Sequence, residues 1–139
     1  MNQTSDKIRY FLYARKSSES EEKQVASIES QITELERVAK QYGLTVVRVF
    51  SESKSAKAPH NRPVFGDMME RLYKGEAEGI LCWKLDRLAR NPVDGGTINW
   101  ILQNGIVKHI RTFDREYLPT DNVLMMSVEF GMANQYIRD

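Results

Sequence analysis

The chain has a single cysteine, Cys82, and so no internal disulfide. With one cysteine and two well-separated histidines it also lacks the usual ligand number of a zinc site. No metal or cofactor is expected. No apolar run approaches the roughly 20 residues a membrane span needs. The opening, Met1-Asn2-Gln3-Thr4-Ser5-Asp6, carries neither an apolar signal core nor a small-residue cleavage site, so a cytoplasmic protein is expected. There is no Gly-x-Ser-x-Gly elbow of a serine hydrolase and no Gly-x-x-x-x-Gly-Lys-Ser/Thr phosphate loop. Internal repeats and low-complexity tracts are absent. Net charge is only +1, whereas a self-sufficient nucleic-acid binder shows a marked basic excess. Any such reading must rest on local arginines, helped by a segment outside this chain.

What is present fits one globular domain. The 139 residues are 41% apolar and 28% charged, ordinary values for a single core. Residues 8–13, β-branched and aromatic, predict a strand. The stretch 14–25 has no apolar period and predicts a loop. Ile28, Ile32, Leu35, Ala39 and Tyr42 recur at helical spacing, with Ser27 placed to cap and Gly43 to stop the helix. A strand is expected over 44–50, a loop over 51–60, and a helix over about 62–74. That helix has Asn61 as its cap, Pro63 in its first turn and Gly75 after it. Its packed face is expected to hold Val64, Phe65, Met68, Met69, Leu72 and Tyr73. Residues 79–83 read as a strand buried on both sides, with Cys82 a buried thiol within it. A loop over 84–91 precedes a helix that Pro92 opens and Asn104-Gly105 ends, and residues 106–113 make a fourth strand. After Pro119, Asp121 caps an apolar helix that still reads as helical at Asp139. The alternation predicts an α/β fold, a mostly parallel sheet flanked by helices.

In such folds the working residues gather outside the carboxyl ends of the strands. The segments after the first three strands carry Arg15, Ser17 and Ser18; Ser53, Ser55 and Arg62; and Asp86, Arg87 and Arg90. Taken singly, each has an ordinary reading. A loop serine caps or turns the chain, Glu19, Glu21 and Glu22 form a solvated acidic loop, an arginine is a solvated charge, and His60 and His109 are incidental. Their joint placement is what points to chemistry. A serine among arginines suits phosphoryl transfer, because rigid guanidinium forks match the charge that builds on the non-bridging oxygens. If Asp86 begins a helical turn, Arg90 lies at i+4 and Asp86 could hold the guanidinium of Arg90 or of Arg87; a plain surface salt bridge is the alternative.

Two stretches resemble the signatures of the serine recombinases, the resolvase/invertase and large serine integrase group. Tyr13-Ala14-Arg15-Lys16-Ser17 resembles their Tyr-x-Arg-x-Ser, and Leu85-Asp86-Arg87-Leu88-Ala89-Arg90 their Leu-Asp-Arg-Leu-x-Arg. Ser55-Ala56 followed by Arg62-Pro63 resembles the middle serine and arginine. Ser27-Ile28-Glu29-Ser30-Gln31 looks more like large integrases and transposon recombinases than small resolvases. The resemblance implies a resolvase-like catalytic domain that ends in a long helix. It implies Ser17 as the nucleophile, forming a 5′-phosphoserine link to DNA and releasing a 3′ hydroxyl. Arg15, Arg87 and Arg90 would bind and activate the scissile phosphate with help from Arg62. Asp86 would orient an arginine or serve in proton transfer, Ser55 would be a supporting hydroxyl, and Tyr13 would pack beneath the site. It further implies two sites cut in a tetramer, dimers on the way to it, no metal and no ATP. Such proteins are encoded by bacteria, phages or transposons.

The pattern departs from the family in two places. Glu19 and Glu21 stand where many relatives have a glutamine, with Gln24 further on. The last segment reads Asn134-Gln135-Tyr136-Ile137-Arg138 where relatives often carry Glu-Arg. Neither place is assigned a catalytic role, and Glu129 is a weak candidate only. A DNA-binding region is expected beyond residue 139, so the chain reads as the catalytic part. The alternatives are a catalytically inactive module of the same fold that associates with DNA, or an oligomerisation module built on the Met125-Met126 helix. The first would not need the full Ser-Arg-Asp-Arg-Arg set, and the second leaves the arginines unexplained.

Overall fold

The central strand forms because its side chains alternate between two apolar environments. In β1 (Arg9–Arg15), Tyr10, Leu12 and Ala14 pack on one side with Leu35, Val38 and Ala39. Phe11 and Tyr13 pack on the other with Phe50, Phe65, Met68 and Ile98. A strand buried on both faces must sit inside a sheet covered by helices. A computed structural model describes residues 7–16, 26–54 and 59–120. It shows a five-stranded sheet of order β2-β1-β3-β4-β5, with β2 (Thr45–Glu52), β3 (Gly79–Cys82), β4 (His109–Arg111) and β5 (Glu116–Tyr117). The first four strands are parallel, and β5 returns antiparallel on β4.

Helix α1 (Ile28–Tyr42) covers the Leu12 face. Helices α2 (Pro63–Tyr73), α3 (Leu85–Leu88) and α4 (Pro92–Gln103) cover the Tyr13 face. This is the α/β architecture the alternation predicts. The local signals hold in detail at α1. Ser27 Oγ accepts from the Ser30 N–H, and Gly43 closes the helix at φ 68°, a left-handed conformation that glycine adopts without strain. Asn91 likewise caps α4 ahead of Pro92.

Several expectations need correction. Strand β1 runs on to Arg15 and β2 to Glu52, because polar residues at a strand end can be buried when the neighbouring loops supply partners. Asn61 does not cap α2. The cap position is Arg62, which makes no side-chain cap bond, and the free amides of Val64 and Phe65 are taken by Glu52 from β2. Tyr73 is exposed, since the packed face narrows toward the end of α2. The 84–91 loop contains α3. The fourth strand spans three residues only, and a short fifth strand follows that no periodicity marked. His109 stands apart from the arginine cluster and has a structural place, its ring bridging the Tyr10 hydroxyl, 2.6 Å from Nδ1, and Glu116, 2.7 Å from Nε2. The expected helix after Asp121 lies outside the described residues.

Candidate active site

The carboxyl ends of β1, β2 and β3 converge on a buried cluster of arginines. Arg15, the last residue of β1, is fully buried. Its Nε donates to the Arg87 carbonyl at 3.0 Å, Nη1 to the Lys54 carbonyl at 2.9 Å, and Nη2 to the Asp86 carbonyl at 2.7 Å. One guanidinium thus ties the end of β1 to the segments that follow β2 and β3. The fork can do this because its donors lie in one rigid plane. Gln31 of α1 fixes the backbone of the same residue: its Oε1 accepts from the Arg15 N–H, and its Nε2 donates to the Arg15 carbonyl at 3.0 Å.

Arg62 grips the same turn. Its Nη1 donates to the Arg87 carbonyl at 3.1 Å and to the Tyr13 hydroxyl at 3.2 Å. Its Nη2 donates to the Leu88 carbonyl and to Asp94 Oδ2, the latter at 3.1 Å. The guanidinium carbon lies 3.8 Å from the centroid of the Phe65 ring. Its Nε is buried with no hydrogen-bond partner.

Tyr13 is fully buried, and its hydroxyl donates to Glu52 at 2.6 Å while accepting from Arg62. Burial, above all, pushes the phenol far above its ordinary range. The Arg62 charge opposes that shift and Glu52 adds to it, so the hydroxyl stays a donor. Burial also raises the Cys82 thiol, with Asp86 adding and Arg87 opposing, so this thiol is not a nucleophile at neutral pH.

Asp86 and Arg87 sit on α3. Asp86 Oδ1 accepts from Arg87 Nε at 3.0 Å, while Arg87 Nη1 reaches the Arg15 carbonyl at 3.1 Å. Arg87 is buried and Asp86 about 44% exposed, which leaves the carboxylate facing outward beside a fixed guanidinium. The helical relation expected between Asp86 and Arg90 is not formed, because α3 ends at Leu88 and Ala89 is extended at φ −156°. Arg90 is half-buried beyond that break.

The structure therefore brings Tyr13, Arg15, Arg62, Asp86 and Arg87 together, with Arg90 on the adjoining backbone. Ser17 and Ser55 lie outside the described residues. Three residues of the cluster were not singled out in the sequence, Glu52, Asn91 and Asp94, and Gln31 stood there only as the end of the 27–31 stretch, with no site role. Glu52 is an acidic residue at a strand end, and Asn91 and Asp94 have the spacing of an ordinary helix cap, so nothing local distinguishes them.

Residues 10–139 match the family model described as the resolvase N-terminal domain. The chain belongs to the resolvase family. As a member it is a serine site-specific recombinase catalytic domain, which acts on DNA and works as an oligomer. The solved structures share its fold. A resolvase family site-specific recombinase from Streptococcus pneumoniae is similar at 24% identity and a TM-score of 0.69, over 95% of this chain and 89% of that one. The N-terminal catalytic domain of TP901-1 integrase is similar at 17% identity and a TM-score of 0.64, over 94% and 96%. The C-terminal catalytic domain of ISC1926 TnpA, an IS607-like serine recombinase, is similar at 23% identity and a TM-score of 0.61, over 91% and 80%. No curated protein matches the chain. Among the described residues of this resolvase-family domain, no helix is long and apolar enough to cross a membrane.

Proposed function

We propose that Ser17 is the nucleophile of this resolvase-family domain and that the arginine cluster receives the scissile phosphate. The observation that carries the reading is the hold of Arg15 on the Asp86–Arg87 backbone. Ser17 follows Arg15 by two residues, and two residues of chain span at most about 7 Å. That reach is compatible with an approach of Ser17 to the turn that Arg15 holds.

Ser17 Oγ attacks the phosphorus, forming the Oγ–P bond as the P–O3′ bond breaks. The products are a 5′-phosphoserine ester and a free 3′ hydroxyl. Attack of a new 3′ hydroxyl on that ester reverses the step and rejoins the strand, so no nucleotide triphosphate is consumed. Negative charge builds on the non-bridging oxygens as phosphorus becomes five-coordinate, and fixed guanidiniums stabilise it without reorganising. Arg87 and Arg90 are presented by the turn that Arg15 and Arg62 hold. In this conformation Arg15 donates to three main-chain carbonyls, and Arg62 to two such carbonyls, the Tyr13 hydroxyl and Asp94. They act through charge and rigidity, and direct phosphate contact requires exchanging a carbonyl partner. Asp86 holds Arg87, and in this reading it also takes up or returns the serine proton. Ser55 supplies a supporting hydroxyl. Dimers and a tetramer on paired sites, and recognition of the DNA sequence mainly by a region beyond residue 139, complete the reading.

The test uses the full-length recombinase and a nicked copy of its recombination site, which traps the covalent complex. Peptide mapping is expected to find the DNA 5′ end on Ser17, and Ser17→Ala to abolish the complex. A normal yield of complex from Ser17→Ala would overturn the assignment.

A further inference from the structure

The first turn of α4 delivers a carboxylate into the arginine cluster, and no sequence signature points to it. Asp94 is the third residue of α4. Asn91, the cap, accepts from the Asp94 N–H through Oδ1 at 2.9 Å and donates to Asp94 Oδ2 through Nδ2 at 2.9 Å. The cap therefore sets both the backbone and the carboxylate. That carboxylate accepts from Arg62 Nη2, with the two side chains 12% and 1% exposed. The other acceptors of Arg62 are neutral: the Tyr13 hydroxyl and the carbonyls of Arg87 and Leu88. Among the described residues, Asp94 is the only carboxylate that Arg62 touches. A buried cation with one anionic partner depends on that partner for its place.

We propose that Asp94 is a positioning residue for the recombination reaction: by holding Arg62 it fixes the turn that carries Arg87 and Arg90. The chain of contacts runs from Asn91 to Asp94, to Arg62, to the Arg87 and Leu88 carbonyls. It links the start of α4 to the turn that carries Arg87 and Arg90. The inference rests on the reading of the cluster as the phosphate site. It adds that the site's geometry is set from α4 as well as from β1. A cavity of about 200 Å³ opens beside the pair, lined by Arg62, Asp94, His60, Phe65, Met69 and Thr97. It admits a guanidinium ion, which makes a chemical test possible.

The experiment compares full-length wild type, Asp94→Asn, Arg62→Ala and the double variant on the nicked recombination site. Asp94→Asn keeps the size of the side chain and removes its charge. It is expected to bind DNA as tightly as wild type but to form the covalent complex on the order of 100-fold more slowly, the penalty for a misplacement of about 1 Å. Guanidinium ion is expected to restore part of the rate to Arg62→Ala, and to fail in the double variant because its anchor is gone. Equal rescue in both, or a wild-type rate for Asp94→Asn, overturns the proposal while leaving Ser17 chemistry standing. Hydrogen exchange provides a readout independent of activity. The amides of residues 87–90 are expected to lose about tenfold protection in Asp94→Asn, and unchanged protection also overturns the proposal. Absence of a covalent complex in wild type bears on the nucleophile, and the exchange result still decides the role of Asp94.

Discussion

Arg15 and Arg87 exchange hydrogen bonds. The Arg15 guanidinium donates to the Arg87 carbonyl at 3.0 Å, and the Arg87 guanidinium donates to the Arg15 carbonyl at 3.1 Å. Seventy-two residues separate them in the chain. Each cation is thus held by the backbone that carries the other, and the end of β1 cannot shift without moving α3.

Lysine cannot reproduce that arrangement. Its single ammonium cannot meet the three carbonyls that Arg15 spans. Arg15→Lys is expected to lower unfolding free energy by about 1–3 kcal/mol, the cost of leaving a buried polar group unmatched. Urea unfolding checks it through a lower midpoint at constant slope. A midpoint equal to wild type would show that the clamp contributes no stability.

Glu52 serves two masters, the Tyr13 hydroxyl at 2.6 Å and the free amides of Val64 and Phe65 at 3.1 and 2.9 Å. Glu52→Gln keeps the shape but has one acceptor oxygen instead of two. The expected loss is about 1–2 kcal/mol, in the range of a lost helix cap. Amide exchange should localise it, with Val64 and Phe65 losing protection before the interior of α4. Uniform loss over both helices would contradict a local cap.

Gly79 opens β3 under the ring of Tyr10. A Cβ there would lie 2.5 and 2.6 Å from two Tyr10 ring carbons and 2.9 Å from the Ile8 Cγ2. The ring is not free to swing, since its hydroxyl is bonded to His109. Gly79→Ala is expected to cost about 1–3 kcal/mol through overpacking. A thermal melt should show the midpoint falling by about 4 °C or more; an unchanged midpoint would mean that the ring yields.

Alkaline pH should weaken the fold through Tyr10. Burial first, and then the nearby Glu116 charge, push its phenol up to about 12, against a smaller opposing effect of Arg111. A raised value means the native state keeps a proton that the unfolded chain gives up near pH 10. The stabilising contribution is complete below pH 10 and is lost as pH climbs toward 12. Tyr13, raised in the same direction, adds to the slope. Stability measured against pH from 9 to 12 should fall less steeply in Tyr10→Phe; identical slopes would remove Tyr10 as a cause.

Much of this was legible because it is local. The apolar period of Ile28, Ile32 and Leu35, the Ser27 cap and the Gly43 stop depend on neighbours within about four residues. The alternation of elements then restricts topology to a parallel sheet with right-handed crossovers. Even the gathering of Arg15, Arg62 and Arg87 followed from placing three segments after three strands.

Who holds whom did not follow. Asp86 could have served Arg90 or Arg87, and the early end of α3 decided for Arg87. Glu52 reaches Tyr13 across 39 residues, and Asp94 reaches Arg62 across 32. Spacing rules have no purchase at such separations. The sequence by itself determined the four parallel strands, the helices α1, α2 and α4, their order and the family, since periodicity and contiguous signatures are short-range; α3 and β5 were not among them. The tertiary structure decided that Arg15 and Arg62 are buried braces, because only folding places the Asp86, Arg87 and Leu88 carbonyls where their donors end.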